Sequence, residues 1–305
     1  MPHFLDAWSA QYKARRHPLS APLAHRPVAP EARGHAWPLR ALRTVQFGLA
    51  RLRGAQVEAQ AAPFGLRFVG PAADCITRGI YRRGVHEPLI TRYLLEAVRL
   101  GPGDVAIDAG ANIGWYSLLL DRLAEPGASV YAFEPEPATF ALLQVNLARN
   151  RATHVEPVPA ALGAAAGRAL LRRYKDSNNG RHSLLAAESG AGSVEVPVLT
   201  LDSFWEQRGL AARPLRVLKI DVEGFEYFVL QGARALLPRC ERLLLEFAPT
   251  SPGADGRAGV ELLALMRAHG FLARAFTPRG LVPLADAELA GLRTRCDLLF
   301  ERHGP

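Results

Sequence analysis

Between residues 105 and 134, short apolar runs alternate with single carboxylates. Val105-Ala106-Ile107 ends on Asp108, the glycine-bearing loop Gly110-Ala111-Asn112-Ile113-Gly114 follows, and Leu118, Leu119 and Leu120 begin a helical stripe. Val130-Tyr131-Ala132-Phe133 then runs into Glu134. Short apolar runs bounded by turn residues read as buried strands. The pattern therefore predicts strand–loop–helix–strand, with an acid at the carboxyl end of each strand.

The same alternation continues on both sides. Leu66 to Gly70 reads as a strand, and Leu89, Ile90, Tyr93, Leu94, Ala97 and Val98 form one stripe of a helix. Pro135 to Pro137 opens another helix, with Phe140, Leu143 and Leu147 facing inward. Strands are predicted at His154 to Pro159, Leu215 to Ile220, Arg242 to Phe247, Phe271 to Phe276 and Cys296 to Phe300, with helices around Phe228 and Leu262. Ala169 to Tyr174 and Val194 to Val198 would pair as a β insertion, and Pro197 would put the second of these strands at an edge. Strands alternating with helices predict an α/β fold, a mostly parallel sheet covered on both faces.

Residues 1–64 differ in texture. They are rich in Pro, Ala and Arg, and are read as a basic, partly helical extension, with residues 65–305 as the main domain. Helices are expected at Phe4 to Ala14 and Leu39 to Ala59; in the second, Leu42, Val45, Leu49 and Leu52 recur at helical spacing. A basic amphipathic helix over 39–59 suits either a membrane surface or packing on the parent domain, and packing is the simpler reading.

The central unit carries candidate chemistry. Ligands bind at the carboxyl edge of open α/β sheets. Glu134 follows Gly110 by 24 residues (134 − 110), near the spacing of an acid that grips ribose hydroxyls. The G-A-N-I-G loop lacks the G-x-G-x-x-G diphosphate pattern, and Asp108 before it would repel a diphosphate but welcome a cation. The pocket reads as one for adenosine bearing positive charge.

Three separated motifs, D-A-G-A-N-I-G-W-Y-S from Asp108, F-E-P at Phe133 to Pro135, and K-I-D-V-E-G-F-E at Lys219 to Glu226, resemble the FkbM family of S-adenosylmethionine-dependent methyltransferases. The resemblance runs from about Gly65 onward and implies a Rossmann-like class I methyltransferase fold with a seven-stranded sheet. It implies S-adenosyl-L-methionine as cofactor and O-methylation of a hydroxyl on a sugar, glycan precursor or polyketide-type small molecule. Asp108, Gly110, Ala111, Asn112, Gly114, Glu134 and Pro135 would bind the cofactor, with Ala161 and Leu162 beside adenine. Glu87 maps onto a family glutamate before a helix that caps the pocket, although an acid also simply favours a helix amino end. Asp221 and Glu223 fall beside the transferred methyl, as base or substrate clamp, with Glu246 approaching from the next strand. Alternatively, Glu223 and Glu226 hold the fold. A polar loop at 176–183 would edge the mouth and contribute His182, or be a solvated hairpin end. No metal ligand set is assigned, and a divalent ion bridging the carboxylates is left open.

Composition trims the field. The 305-residue chain is 49% hydrophobic, enough to bury a full core. The net charge of +8 invites nucleic acid, but residues 1–60 hold nine basic and three acidic side chains, leaving only +2 (8 − 6) for the rest. A nearly neutral domain is poor material for a phosphate track. Cys75, Cys240 and Cys296 suggest neither disulfides nor a metal site, and no apolar run is long enough to span a bilayer. A cytoplasmic setting and a small-molecule or glycan acceptor are expected. The rivals are a nucleic-acid methyltransferase using the basic arm, a dehydrogenase lacking its glycine fingerprint, and a non-catalytic binding protein on the same fold.

Overall fold

The computed structural model of the chain describes residues 45–172, 192–247, 258–292 and 295–302. The expected helix at Phe4 to Ala14, the polar loop at 176–183 and His182 lie outside them.

The first described element corrects the sequence reading. Helix α1 (45–52) stops at Gly54, whose φ of 63° is left-handed, and the chain then enters strand β1 (Gln56–Ala61) instead of remaining helical to Ala59. The reason lies in the period. Val57, Ala59 and Ala61 alternate with Glu58 and Gln60, and β1 accordingly buries every second residue at its end as it pairs antiparallel with β2 (Leu66–Pro71). This hairpin is tied to the rest of the fold by Asn146 and Asn150. Their Oδ1 atoms accept from Val69 and Arg67 N–H, and their Nδ2 groups donate back to the carbonyls of the same two residues. Phe47 anchors α1 on Tyr81, with ring centroids 4.7 Å apart.

Helix α2 (Cys75–Arg83) is capped by Asp74, which accepts from Thr77 N–H at 2.7 Å. Helix α3 (Pro88–Ala97) follows, then β3 (Val105–Ala109), α4 (Trp115–Arg122), β4 (Ser129–Phe133), α5 (Pro137–Arg149) and β5 (Val155–Val158). The insertion contains β6 (Ala161–Leu162), β7 (Gly167–Arg172) and β8 (Ser193–Leu199). The remaining elements are α6 (Leu201–Gln207), β9 (Leu215–Ile220), α7 (Glu226–Gln231), β10 (Cys240–Phe247), α8 (Ala258–Ala268), β11 (Phe271–Thr277), β12 (Gly280–Pro283), α9 (Asp286–Ala290) and β13 (Cys296–Arg302).

The main sheet has the order β12-β11-β13-β10-β9-β3-β4-β5. Strands β5, β4, β3, β9 and β10 are parallel, whereas β13 inserts antiparallel between β10 and β11. This is the α/β, Rossmann-like class I methyltransferase arrangement. It has eight strands where seven were expected, because Gly280 turns the chain into the short edge strand β12. Alternate residues feed two cores. Ile107, Leu218 and Leu245 pack toward α6, α7 and α8, while Ala106, Val217, Leu244 and Leu299 pack toward α3, α4 and α5.

The insertion pairs β7 with β8 as the alternation suggested, but β8 is the middle strand of three and not an edge. β6 meets only Val198 and Leu199, so Pro197 is paired with β7 alone and the proline is tolerated. All three cysteines are free thiols. Among the described residues, no helix is long and apolar enough to cross a membrane.

Candidate active site

Strand order reverses at β3, with β4 and β5 on one side and β9 and β10 on the other. A crevice opens outside the carboxyl ends of strands at such a switch point. Here four backbone bonds lace the strand ends together. Asp221 N–H donates to the Ala109 carbonyl, Gly110 and Ala111 N–H both donate to the Phe133 carbonyl, and Glu134 N–H donates to the Val158 carbonyl. Gly110 is demanded by this lacing. Its φ is +81°, and a Cβ there would lie 1.9 Å from the Asp221 carbonyl oxygen. Gly114 is similar, with a Cβ meeting Leu143 at 2.7 Å. Both glycines serve close packing of the protein on itself.

The resulting cleft, about 580 Å³ including its open mouth, has Gly110, Asn112, Glu134, Pro135, Ala161, Leu162, Asp221 and Glu223 among its walls. Six of the ten residues expected to bind cofactor are therefore brought together. Glu87, Asp108, Ala111 and Gly114 are not on the walls. Leu171 and Phe225 also line the cleft, where the sequence reading did not place them.

Glu134 is buried and held by the backbone. Its Oε2 accepts from Asn112 N–H at 3.0 Å and its Oε1 from Glu136 N–H at 2.9 Å. Burial pushes its carboxyl up to about 7, against the lowering effect of those two bonds. Asp108, 1% exposed, takes a 2.6 Å bond from Ser117 Oγ on its Oδ2, whereas its Oδ1 has no partner. Burial raises its pKa, and Lys219 and Ser117 counter part of that rise.

Glu87 stands at the amino end of α3, but its side chain is engaged elsewhere. It sits at φ 40° with no capping bond, and its Oε2 accepts from Tyr116 O–H while Oε1 lies 3.3 Å from His86 Nε2. Tyr116 in turn lies under Lys219, whose Nζ is 4.7 Å from the ring centroid and 3.1 Å from Asp221 Oδ2. Burial alone would lower the Lys219 ammonium, but Asp221, Asp108 and Glu87 together hold it above the usual lysine range.

The turn after β9 is built by Glu226, whose Oε1 accepts from Gly224 N–H at 2.9 Å and from Val222 N–H at 3.3 Å. The structural reading of Glu226 thus holds. Glu223 instead adopts a left-handed φ of 55° and pairs with Arg295. Asp221, Glu223 and Glu246 each bring one carboxylate oxygen to within 4.8 Å of one another. Glu246 is pushed up to about 10 by burial and then by Asp221 and Glu223, with Arg295 pulling the other way. Asp297, directly across from Glu246 on β13, is also raised by burial and by Glu87 and Asp221. Lys219 stood inside a quoted motif and its lysine in an apolar strand was a readable signal. Tyr116 also stood inside a quoted motif, whereas Arg295 and Asp297 gave no signal, since their place depends on long-range pairing.

The sequence matches the family described as the Methyltransferase FkbM domain over residues 108–273, more than half of the chain. It is 36% identical over 207 residues to the 31-O-demethyl-FK506 methyltransferase FkbM of Streptomyces tacrolimicus, covering 59% of this chain and 76% of that one. It is 30% identical over 206 residues to the hexuronic acid methyltransferase AglP of Haloferax volcanii, covering 68% and 79%. An rRNA methylase from Streptococcus thermophilus superposes with a TM-score of 0.41 at 13% identity, over 71% of this chain and 95% of that one, too loosely to carry an argument. The family match and the two sequence relatives agree with the motif-bearing strand ends, and the chain belongs to the FkbM family of S-adenosylmethionine-dependent methyltransferases.

Proposed function

We propose that the chain transfers a methyl group from S-adenosylmethionine to a hydroxyl of a sugar, glycan precursor or polyketide-type small molecule. The observation that carries this reading is Glu134, a buried carboxylate fixed by two backbone N–H groups on the wall of a cleft at the switch point. Its orientation is set before any ligand arrives, so its remaining lone pairs are preorganised for ribose hydroxyls. Pro135, Ala161 and Leu162 give the apolar walls that a purine ring requires. Gly110 and Asn112 keep the loop close to that ring's sugar, and Ala111 and Gly114 shape the loop behind them. Asp108 and Glu87 act from behind the wall by fixing the charge of the Lys219–Tyr116 layer.

The cofactor supplies an electrophilic methyl and its own leaving group. The chain's task is alignment of the acceptor oxygen and removal of its proton. Asp221, half-buried on the cleft wall, is the proposed proton acceptor or acceptor clamp, and Glu223 supports it from the same turn. His182, at the polar loop, is a further proposed contact, outside the described residues. The names of two relatives support an O-linked acceptor, since one refers to an O-demethyl substrate and another to a hexuronic acid.

The test is release of S-adenosylhomocysteine with panels of sugars, glycan precursors, polyketides and nucleic acids, followed by NMR of the product. An O–CH₃ resonance on a small-molecule hydroxyl is expected. Methyl groups found only on nucleic acid, or on nitrogen or carbon, would overturn this function.

A further inference from the structure

The face of the sheet under α3 and α4 carries a row of charge. Alternation along the strands sets Asp108 with Ala106, Lys219 with Val217, Glu246 with Leu244 and Asp297 with Leu299, all toward the same core. The pairing registers place these residues on four adjacent strands, β3, β9, β10 and β13. Asp221 and Glu223 extend the row into the turn after β9. Among the described residues two cations, Lys219 and Arg295, pair with these acids, and they are not equivalent.

Lys219 is buried and committed inward, bonded to Asp221 and stacked on Tyr116. Arg295 enters from the other side. It stands immediately before Cys296, which the antiparallel ladder pairs with Phe247, so the sheet itself fixes where its side chain starts. Its Nη1 pairs with Glu223 Oε2 and lies 2.9 Å from Glu246 Oε2. One nitrogen thus joins the turn after β9 to the end of β10. These two carboxylates, with Asp221, are the same three whose oxygens lie within 4.8 Å of one another. Carboxylates so close cannot all stay ionised unless a cation stands among them.

We propose that Arg295 is a positioning residue of the transfer site, its guanidinium taking the place of a bridging divalent ion among Asp221, Glu223 and Glu246. A guanidinium suits the task because it is always charged, weakly hydrated and able to engage two carboxylates at once. The consequence is a latent centre. With the guanidinium removed, three hard oxygen donors remain with one cation fewer among them, a set suited to Mg²⁺ or Mn²⁺. The proposal rests on the methyltransferase reading only for the identity of the reaction being served.

The test uses the full chain, stripped of metal with a chelator, with free Mn²⁺ followed by electron paramagnetic resonance during titration. R295M should gain one Mn²⁺ site, binding on the order of tenfold or more tighter than wild type. R295K, which keeps the charge, should behave as wild type, and R295M/E246Q should lose the gained site. R295Q serves in place of R295M if circular dichroism shows the latter unfolded. Wild type binding Mn²⁺ as tightly as the charge-removing variant, or no gain in that variant, would overturn the proposal. S-adenosylmethionine titrated into the same samples separates the two ideas, because its failure to bind would count against the methyltransferase reading and leave the Mn²⁺ comparison standing.

Discussion

Two glutamates, one buried and one half-buried, close parallel strands of one sheet, and their surroundings are opposite. Glu134, after β4, is answered by backbone N–H groups from its own loop and the neighbouring one. Glu246, in β10, is answered by a side chain, Arg295, and crowded by Asp221, Glu223 and Asp297. Backbone donors cannot leave or change charge, so Glu134 behaves as a fixed acceptor. Side-chain neighbours can move or titrate, so the surroundings of Glu246 are adjustable. The division is in line with the two tasks proposed above, holding a constant cofactor and managing a proton and a variable acceptor.

The sharpest way to break the contrast is at Gly110, which lets the two halves meet. Gly110→Ala combines a left-handed φ with a Cβ driven into the Asp221 carbonyl, and should cost about 2–4 kcal/mol of stability. Urea unfolding would measure it, and a loss below about 0.5 kcal/mol, the range of a neutral surface change, would mean the lacing is not needed.

Next in size is Glu134→Ala. Losing its charged hydrogen bonds should weaken S-adenosylmethionine binding by about 1–3 kcal/mol, and stranding the Asn112 and Glu136 N–H groups should lower unfolding stability as well. Glu226→Ala sharpens the same point from the other half. It strands the Gly224 and Val222 N–H groups, so stability should fall by about 1–3 kcal/mol as the turn loosens, seen in thermal melts.

A pH effect is expected to be smaller. Glu134 and Glu226 are both raised from 4.5 to about 7, chiefly by burial. A raised folded pKa means folding favours the protonated form. Their contribution to stability is therefore complete below about 4.5 and is lost as pH rises through about 7. Cofactor binding should run the other way, because ribose hydroxyls donate and the ionised Glu134 accepts. Affinity should rise with pH toward and through about 7 by at most roughly tenfold per unit, and Glu134→Gln should flatten the profile. A wild-type affinity independent of pH between 5.5 and 8 would remove Glu134 from ribose contact.

The smallest effect belongs to α1, where Leu52 is exposed while Phe47 is buried on Tyr81. Leu52→Ser should change stability by less than about 0.5 kcal/mol.

Much of this architecture was legible because it is local. β3, its glycine loop, α4 and β4 follow one another within thirty residues, and apolar runs ending on Asp108 and Glu134 announce them. The wall residues Gly110, Asn112, Glu134 and Pro135 come from that same stretch. β1 was missed although its period-two pattern was present, because the helical spacing of Leu42, Val45 and Leu49 was carried too far. Arg295 and Asp297 could not be read, since they reach Glu246 only when β13 inserts between β10 and β11. Pattern along the chain does not report such non-consecutive pairing. Gly110 was read for ligand approach, and its close neighbour proved to be the backbone of Asp221.

The most direct test is calorimetric titration of S-adenosylmethionine, S-adenosylhomocysteine and NAD into the wild-type chain and Glu134→Ala. The account expects both methyl-cycle ligands to bind wild type, NAD not to bind, and the variant to weaken both. No binding of either to a folded sample, or equal binding by the variant, would contradict the assignment of this cleft.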